Sequence, residues 1–429
     1  MGSLKGSHNA AKSTTLSCRV ALLLLMSGEL LSYYSAVARR AKALLKYPLH
    51  YYLKDRPLNT VVMYALIKAI VLLSAVLLSL RYQPSALFQN PAGEGPVFFL
   101  TKWDGLWYRG IAHQGYAYNF PYSAAFPPMY PFLIKIFSLN QLALMSWVEV
   151  LISNAFSFLG LYSLYKLVPL ILDEKYRLRV CFAYMVFPVL LVCNLVSYSE
   201  SIFLAFTIGA YYCWKREKFA YAGLLAIFSI FTREVGPLIL VIFLVDMLYG
   251  YVSHRERSRA IRELAVIAIT CAGVATLYLF YLYRFGNPFI SAQVQAAYPG
   301  WGNTISIAHI HQNLVKALAP LAGLRLGVVN YSAVPIILID ALVVLATILF
   351  LLRRDLALSA YSFVSLVLFL SLSNLSGFMR FVAATFPIYL FFGLMLSNDD
   401  WKKNITVGAI AVIVAVQNMY IWISGYWLY

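Results

Sequence analysis

Four short stretches of this sequence hold the residue types that could do chemistry. "TKWDGLWYRGIAHQGY" (101–116) sets Asp104, Arg109 and His113 among aromatic residues and three glycines. "SYSESIF" (197–203) places Glu200 at the head of an apolar run, "FTREVGP" (231–237) sets Arg233 beside Glu234, and "SGFMRF" (376–381) carries Arg380. A few acids among many basic groups suit one kind of site, an anionic ligand held beside one general base. Arginine's planar fork fits phosphate in particular. Each stretch also has a plainer account. The first could be an interfacial anchor, Glu200 a helix N-terminal cap, and Arg233 and Glu234 a self-neutralising pair.

The elements that must position these groups follow from composition. Of 429 residues, 62% are hydrophobic and only 12% charged, about half the charged share of a soluble domain. Apolar runs recur at approximately 59–80, 142–166, 180–196, 200–214, 219–233, 235–250, 263–283, 331–352, 356–373, 381–397 and 404–424. The expected fold class is therefore an all-α polytopic membrane protein with about 11–12 spans. The short alternating segments of a membrane barrel are missing from the sequence.

The net charge of +17 does not indicate nucleic acid, because the bases sit in short clusters between apolar runs. Those clusters are 39–46, 174–179, 215–218, 254–262, 353–354 and 402–403. Starting span 59–80 from the cytoplasm puts all six on the cytoplasmic side. Residues 81–141 then become the first outer loop, and 59–429 one membrane unit. Residues 1–58 form an N-terminal segment in which 16–37 reads as a twelfth span or as an amphipathic helix on the cytoplasmic leaflet. No small-residue cleavage site follows its apolar core, so a cleaved signal peptide is not expected. The five cysteines lie in apolar stretches without paired spacing, as small buried hydrophobes do.

This topology filters the seventeen acids. Only Glu94, Asp104, Glu200 and Glu234 reach the outer face, together with Lys102, Arg109, His113, Arg233, Arg284, His309, His311, Arg325 and Arg380. Glu149, Asp246 and Asp340 fall within spans, where pairing with a base or fixing the packing would explain them. His309 and His311 form a lone H-x-H without a placed carboxylate, a weak metal signal. As a helix, the first stretch would turn Trp103, Leu106, Trp107, Gly110 and Ile111 to one apolar stripe, with Asp104 at its edge and Arg109 and His113 on the other side. Such a helix would lie in the interfacial plane. The following "AYNFPYSAAFPPMYPFLIKIF" is too long and too apolar for a simple loop.

"FFLTKWDGLWYRGIAHQGY", "AAFPPMYPFLIKIF", "FPVLLVCNLVSYSESIFLAFTIGAYY" and "AIFSIFTREVGPL" together resemble the PIG-V-like mannosyltransferases, the second mannosyltransferases of GPI-anchor assembly and their prokaryotic relatives. The resemblance runs in order from about residue 98 to 245, with a weaker echo at "SGFMRFVAATFPIYLFFG" (376–393). It implies a GT-C glycosyltransferase architecture, with interfacial helices in the first outer loop and a polyprenyl- or dolichyl-phosphate mannose donor. Asp104 matches the family's acid after tryptophan, Glu200 the acid of its Y-S-E turn, and Arg233 the arginine of the later turn. Glu234 matches no family position. GPI synthesis itself does not follow, since the prokaryotic relatives share these motifs without making that anchor.

The expected chemistry is inverting glycosyl transfer on the non-cytoplasmic face, to a glycolipid or other glycan acceptor. Asp104 would accept the proton of the attacking hydroxyl, and Glu200 would orient the acceptor or an arginine. Arg233 and Arg380, or Arg109 and His113, would stabilise the departing phosphate. Trp103, Trp107, Tyr198 and Glu234 are expected to contact substrate. No glycine-rich nucleotide loop is present, in keeping with a lipid-linked donor. A divalent cation is compatible with this scheme, though no cluster requires one. The membrane would be the plasma membrane in a prokaryote and the endoplasmic reticulum in a eukaryote. Two other readings use the same basic face: a transporter of sugar-linked lipid, and a noncatalytic subunit of a glycosylation complex.

Overall fold

The computed structural model describes residues 57–81, 97–254, 256–299, 301–318, 334–375, 377–396 and 400–424. All of these except Asp400 and Trp401 belong to one compact unit, made of residues 55–397 and 402–429. The expectations for residues 16–37, Glu94 and Arg325 lie outside the described residues.

The described secondary structure is helical, with one isolated bridge between Ile305 and Leu372. The protein is an all-α polytopic membrane protein. Each apolar run named above contains helix. Five helices are long and apolar enough to cross a membrane alone: Pro57–Leu78, Leu142–Ile171, Gly236–Ser253, Arg257–Phe285 and Lys402–Ile423. A sixth crossing arises if Phe378–Ala384 and Pro387–Met395, bent by 82°, are taken as one span. That bend has a local cause, since Pro387 opens the second helix at a position where its missing N–H costs nothing.

The centre of the unit is Glu200–Lys215, packed between Leu142–Ile171 and Phe219–Thr232. Residues 200–211 and Trp214 of it are buried, as expected for a helix apolar all round. Its N-terminus is reached through an unusual approach. Arg177–Val186 stops at Phe187, held extended by the following proline, and Pro188–Cys193 then restarts as a short helix. After Cys193 the chain runs irregular and fully buried from Asn194 to Ser199.

A buried irregular segment must find partners for its polar groups. Lys68, from Pro57–Arg81, donates to the Asn194 carbonyl at 2.9 Å and to Ser157 Oγ at 2.7 Å. The Asn194 side chain donates to Tyr64 Oη at 2.7 Å. Ser197 N donates to the Leu100 carbonyl, and Ser153 Oγ to the Tyr198 carbonyl. Three distant elements thus fix the loop that delivers Tyr198, Ser199 and Glu200.

The Arg233 turn is set by close approach. A Cβ on Gly236 would lie 2.4 Å from Ile230 Cα and 2.6 Å from the Ser229 carbonyl oxygen, both backbone atoms. Gly236→Ala should therefore lower stability by about 1–3 kcal/mol through overpacking, read as a drop in melting temperature in detergent. An unchanged melting temperature would contradict the packing described.

Candidate functional site

Asp104 opens the helix Asp104–Gln114, and Trp103 before it takes a left-handed φ of 55°, rare for a bulky residue. Two contacts anchor the chain before this turn to the end of Trp401–Ile423. Lys102 Nζ donates to the Ile423 carbonyl at 2.9 Å, and Trp422 Nε1 donates to the Phe99 carbonyl at 2.9 Å. The helix buries Gly105, Tyr108, Arg109, Ile111 and Ala112. That is not the stripe expected from apolar spacing, because Arg109 turns inward toward a buried acid, while Leu106, Trp107 and Gly110 are half-buried.

Four charged side chains from separate elements meet beside this helix start. Arg380, on Phe378–Ala384, donates from Nη2 to Asp104 Oδ2 at 2.8 Å and from Nε to Glu200 Oε1 at 2.6 Å. Arg233, at the end of Phe219–Thr232, approaches the same Glu200 oxygen at 2.9 Å. Its Nη1 also donates to Ser199 Oγ at 3.0 Å, an oxygen that Tyr108 Oη reaches at 3.0 Å as well. The Tyr198 ring lies under the Arg380 guanidinium at 3.8 Å and edge-on to Trp422. Two carboxylates and two guanidinium groups balance in charge, as burial demands. Their exposure differs: the Glu200 side chain is 0% exposed and that of Asp104 16%. Asp104 alone of the two acids is open to solvent.

The other expected site residues lie elsewhere. Arg109 donates to Thr101 Oγ1 at 3.0 Å and Ser146 Oγ at 2.8 Å, and lies 3.7 Å from Glu149 Oε1. His113 is exposed in the last turn of its helix. Trp107 stacks on Phe126 at 5.2 Å between centroids and meets Tyr298 and Trp301 at 5.7 and 5.4 Å. Trp103 is half-buried at the helix start. Glu234 accepts from Ser291 Oγ and from Gln295 Nε2 at 2.6 Å. The ion pair that Arg233 makes is with Glu200 rather than with its sequence neighbour. Ser199 and Tyr108 were not singled out from the sequence. The spacing of Tyr108 four residues after Asp104, on the same helix face, was the available signal.

Among the described residues, no group of three or more His, Cys, Asp or Glu side chains could hold a metal ion. His309 Nδ1 is instead within 3.0 Å of the Ser371 carbonyl.

No family model matches the chain, and no curated protein matches it. The chain does show a distant likeness to solved structures. The archaeal oligosaccharyltransferase AglB from Archaeoglobus fulgidus, in complex with an inhibitory peptide and a dolichol-phosphate, is 14% identical, with a TM-score of 0.43 over 84% of this chain and 55% of that one. The Archaeoglobus fulgidus oligosaccharyltransferase in the apo form is also 14% identical, with a TM-score of 0.45 over 87% of this chain and 56% of that one. The chain thus spans little more than half the length of those structures, at an identity too low to carry residue roles.

Burial pushes the Lys102 ammonium, beside the site, down to about 8 from its ordinary 10.5. Below pH 8 both folded and unfolded chains hold this proton, and the cost of burying the charge is felt in full. Between pH 8 and 10.5 the unfolded chain binds the proton and the folded chain does not, so this group's contribution to stability rises with pH. The melting temperature of the wild type should therefore gain on that of Lys102→Met from pH 7.5 to 10. A constant difference between the two would contradict the burial of a charged amine.

Proposed function

We propose that this protein is a membrane glycosyltransferase of GT-C architecture, moving mannose from a polyprenyl- or dolichyl-phosphate donor to a glycolipid or other glycan acceptor. The observation that supports this reading best is the Asp104–Arg380–Glu200–Arg233 network. It gathers one accessible carboxylate and two forked cations from elements up to 276 residues apart. The basic clusters between the apolar runs, read by the positive-inside rule, support a reaction on the non-cytoplasmic face.

In this scheme the donor phosphate enters beside Arg233 and Arg380, which exchange part of their hold on the carboxylates for its oxygens. Asp104 takes the proton of the acceptor hydroxyl as that oxygen forms its bond to the anomeric carbon. The bond from that carbon to the lipid phosphate breaks, and its electron pair leaves on phosphate oxygen facing the two guanidinium groups. Attack opposite the leaving group inverts the anomeric centre, so a β-linked donor yields an α-mannoside. Glu200, closed to substrate, keeps both arginines in place. Trp103, next to Asp104, and Tyr198, under Arg380, stay candidate substrate contacts, whereas Trp107 is held among Phe126, Tyr298 and Trp301. Arg109 and His113 have no part in this scheme.

Purified protein with labelled polyprenyl-phosphate mannose tests the assignment. Asp104→Asn, folded as judged by its melting curve, should lower transfer by about 10²–10⁴-fold, the usual worth of a general base. Undiminished transfer would remove Asp104 from the role. Movement of the sugar-lipid across liposomes without a new glycosidic bond would replace the enzyme with a transporter.

A further inference from the structure

A second buried charge network stands behind the first, and the transfer scheme does not use it. Glu149, from Leu142–Ile171, is 0% exposed and so cannot touch substrate. Its Oε2 accepts from Ser197 Oγ at 2.6 Å, and Oε1 lies 3.7 Å from Arg109 Nη1. Tyr130 Oη donates to the Glu149 carbonyl at 2.8 Å and meets Ser153 Oγ at 2.7 Å.

The geometry of the Trp103 turn gives this network a task. A bulky residue at φ 55°, ψ −115° is strained, and such strain persists only where the surroundings over-determine it. Arg109 spans the turn directly, because it sits on the helix after Trp103 and donates to Thr101 before it. Glu149 holds Arg109 from below. Through Ser197, the same carboxylate grips the loop that delivers Tyr198 and Glu200. The two surfaces touch at Gly105, the residue after Asp104: a Cβ there would lie 2.9 Å from Ser197 Oγ and 3.3 Å from Glu149 Oε2.

We propose that Arg109 and Glu149 are positioning residues, a buried clamp that holds the strained Trp103 turn against the Ser197 loop and so sets Asp104 in register with Arg380 and Glu200. This inference rests on the glycosyl-transfer reading given above for its kinetic consequence, though not for its structural one. Glu149→Gln keeps an acceptor for Ser197 and removes the charge. It should lower kcat by about 10–100-fold, the effect of a misplaced catalytic group, with the donor KM within about twofold because the arginine pair is untouched. Arg109→Lys, which keeps the charge but loses the fork, serves as a milder variant if Glu149→Gln fails to fold.

Two further readouts separate positioning from plain stability. The double variant Glu149→Gln, Arg109→Gln removes both charges of the pair together, so its melting temperature should recover relative to Glu149→Gln. Its kcat should stay low, because the tie to Thr101 is still broken. Recovery of kcat together with stability would overturn the proposal, as would kcat within threefold of wild type in every folded variant. Hydrogen exchange needs no turnover. The amides of Gly105 and Leu106, which donate to Lys102 and Trp103 across the turn, should exchange at least about tenfold faster in Glu149→Gln, as expected of a turn released to open locally. Unchanged exchange would refute the clamp. A wild-type chain that transfers no sugar would sink the reading of the site, while the exchange measurement would still decide the clamp.

Discussion

The grip of Arg380 on two carboxylates is the contact on which the remainder of the site depends. Glu200 is fully buried at the head of the most enclosed helix, where an unmatched charge would be very costly. Arg380 supplies that match through Nε and reaches Asp104 through Nη2, while Arg233 supplies a second cation from the opposite side. Removing any one member leaves an uncompensated charge, so the four segments that carry them are obliged to meet. The break at Phe187–Pro188, the buried Asn194–Ser199 loop, the close packing of Gly236 and the bend before Pro387 all serve that meeting.

The same constraint explains the uneven exposure of the acids. Both guanidinium groups hold the same oxygen of Glu200, Oε1, and burial closes the carboxylate to solvent. Asp104 shares only one of them and keeps an open edge. An arrangement of this kind suits chemistry in which a phosphate takes over the arginines while an accessible carboxylate faces a hydroxyl. The opposite end of the central helix offers a contrast. About 22 Å along the axis at 1.5 Å per residue, Lys215 sits against Asp246 and Asp355, beside a cavity of about 300 Å³ that is also lined by Arg259, Glu263 and Arg354. The charges there are paired with one another, Lys215 with Asp246 and Asp355, and Arg259 with Glu263.

Much of this was legible in the sequence because membrane burial leaves a one-dimensional trace. Apolar runs give the helices, and a carboxylate at the head of such a run, as at Glu200, has few plain explanations. What the sequence could not convey is partnership at long range. Arg380 meets Asp104 across 276 residues and Glu200 across 180, and no periodicity encodes that. Arg109 misled for a related reason. Helical spacing set it beside His113, but a buried acid 40 residues on determines which way it points. Glu234 likewise accepts from Ser291 and Gln295, on a helix far along the chain.

The most direct test of the central claim is a cryo-electron microscopy structure of the protein with a polyprenyl-phosphate bound. The account predicts the phosphate within hydrogen-bond reach of Arg233 and Arg380, with Asp104 facing the space where the anomeric carbon of a donor would sit. A phosphate seated elsewhere, for instance among Lys215, Arg259 and Arg354 at the other end of the central helix, with the Asp104–Arg380 and Glu200–Arg233 contacts intact, would contradict it.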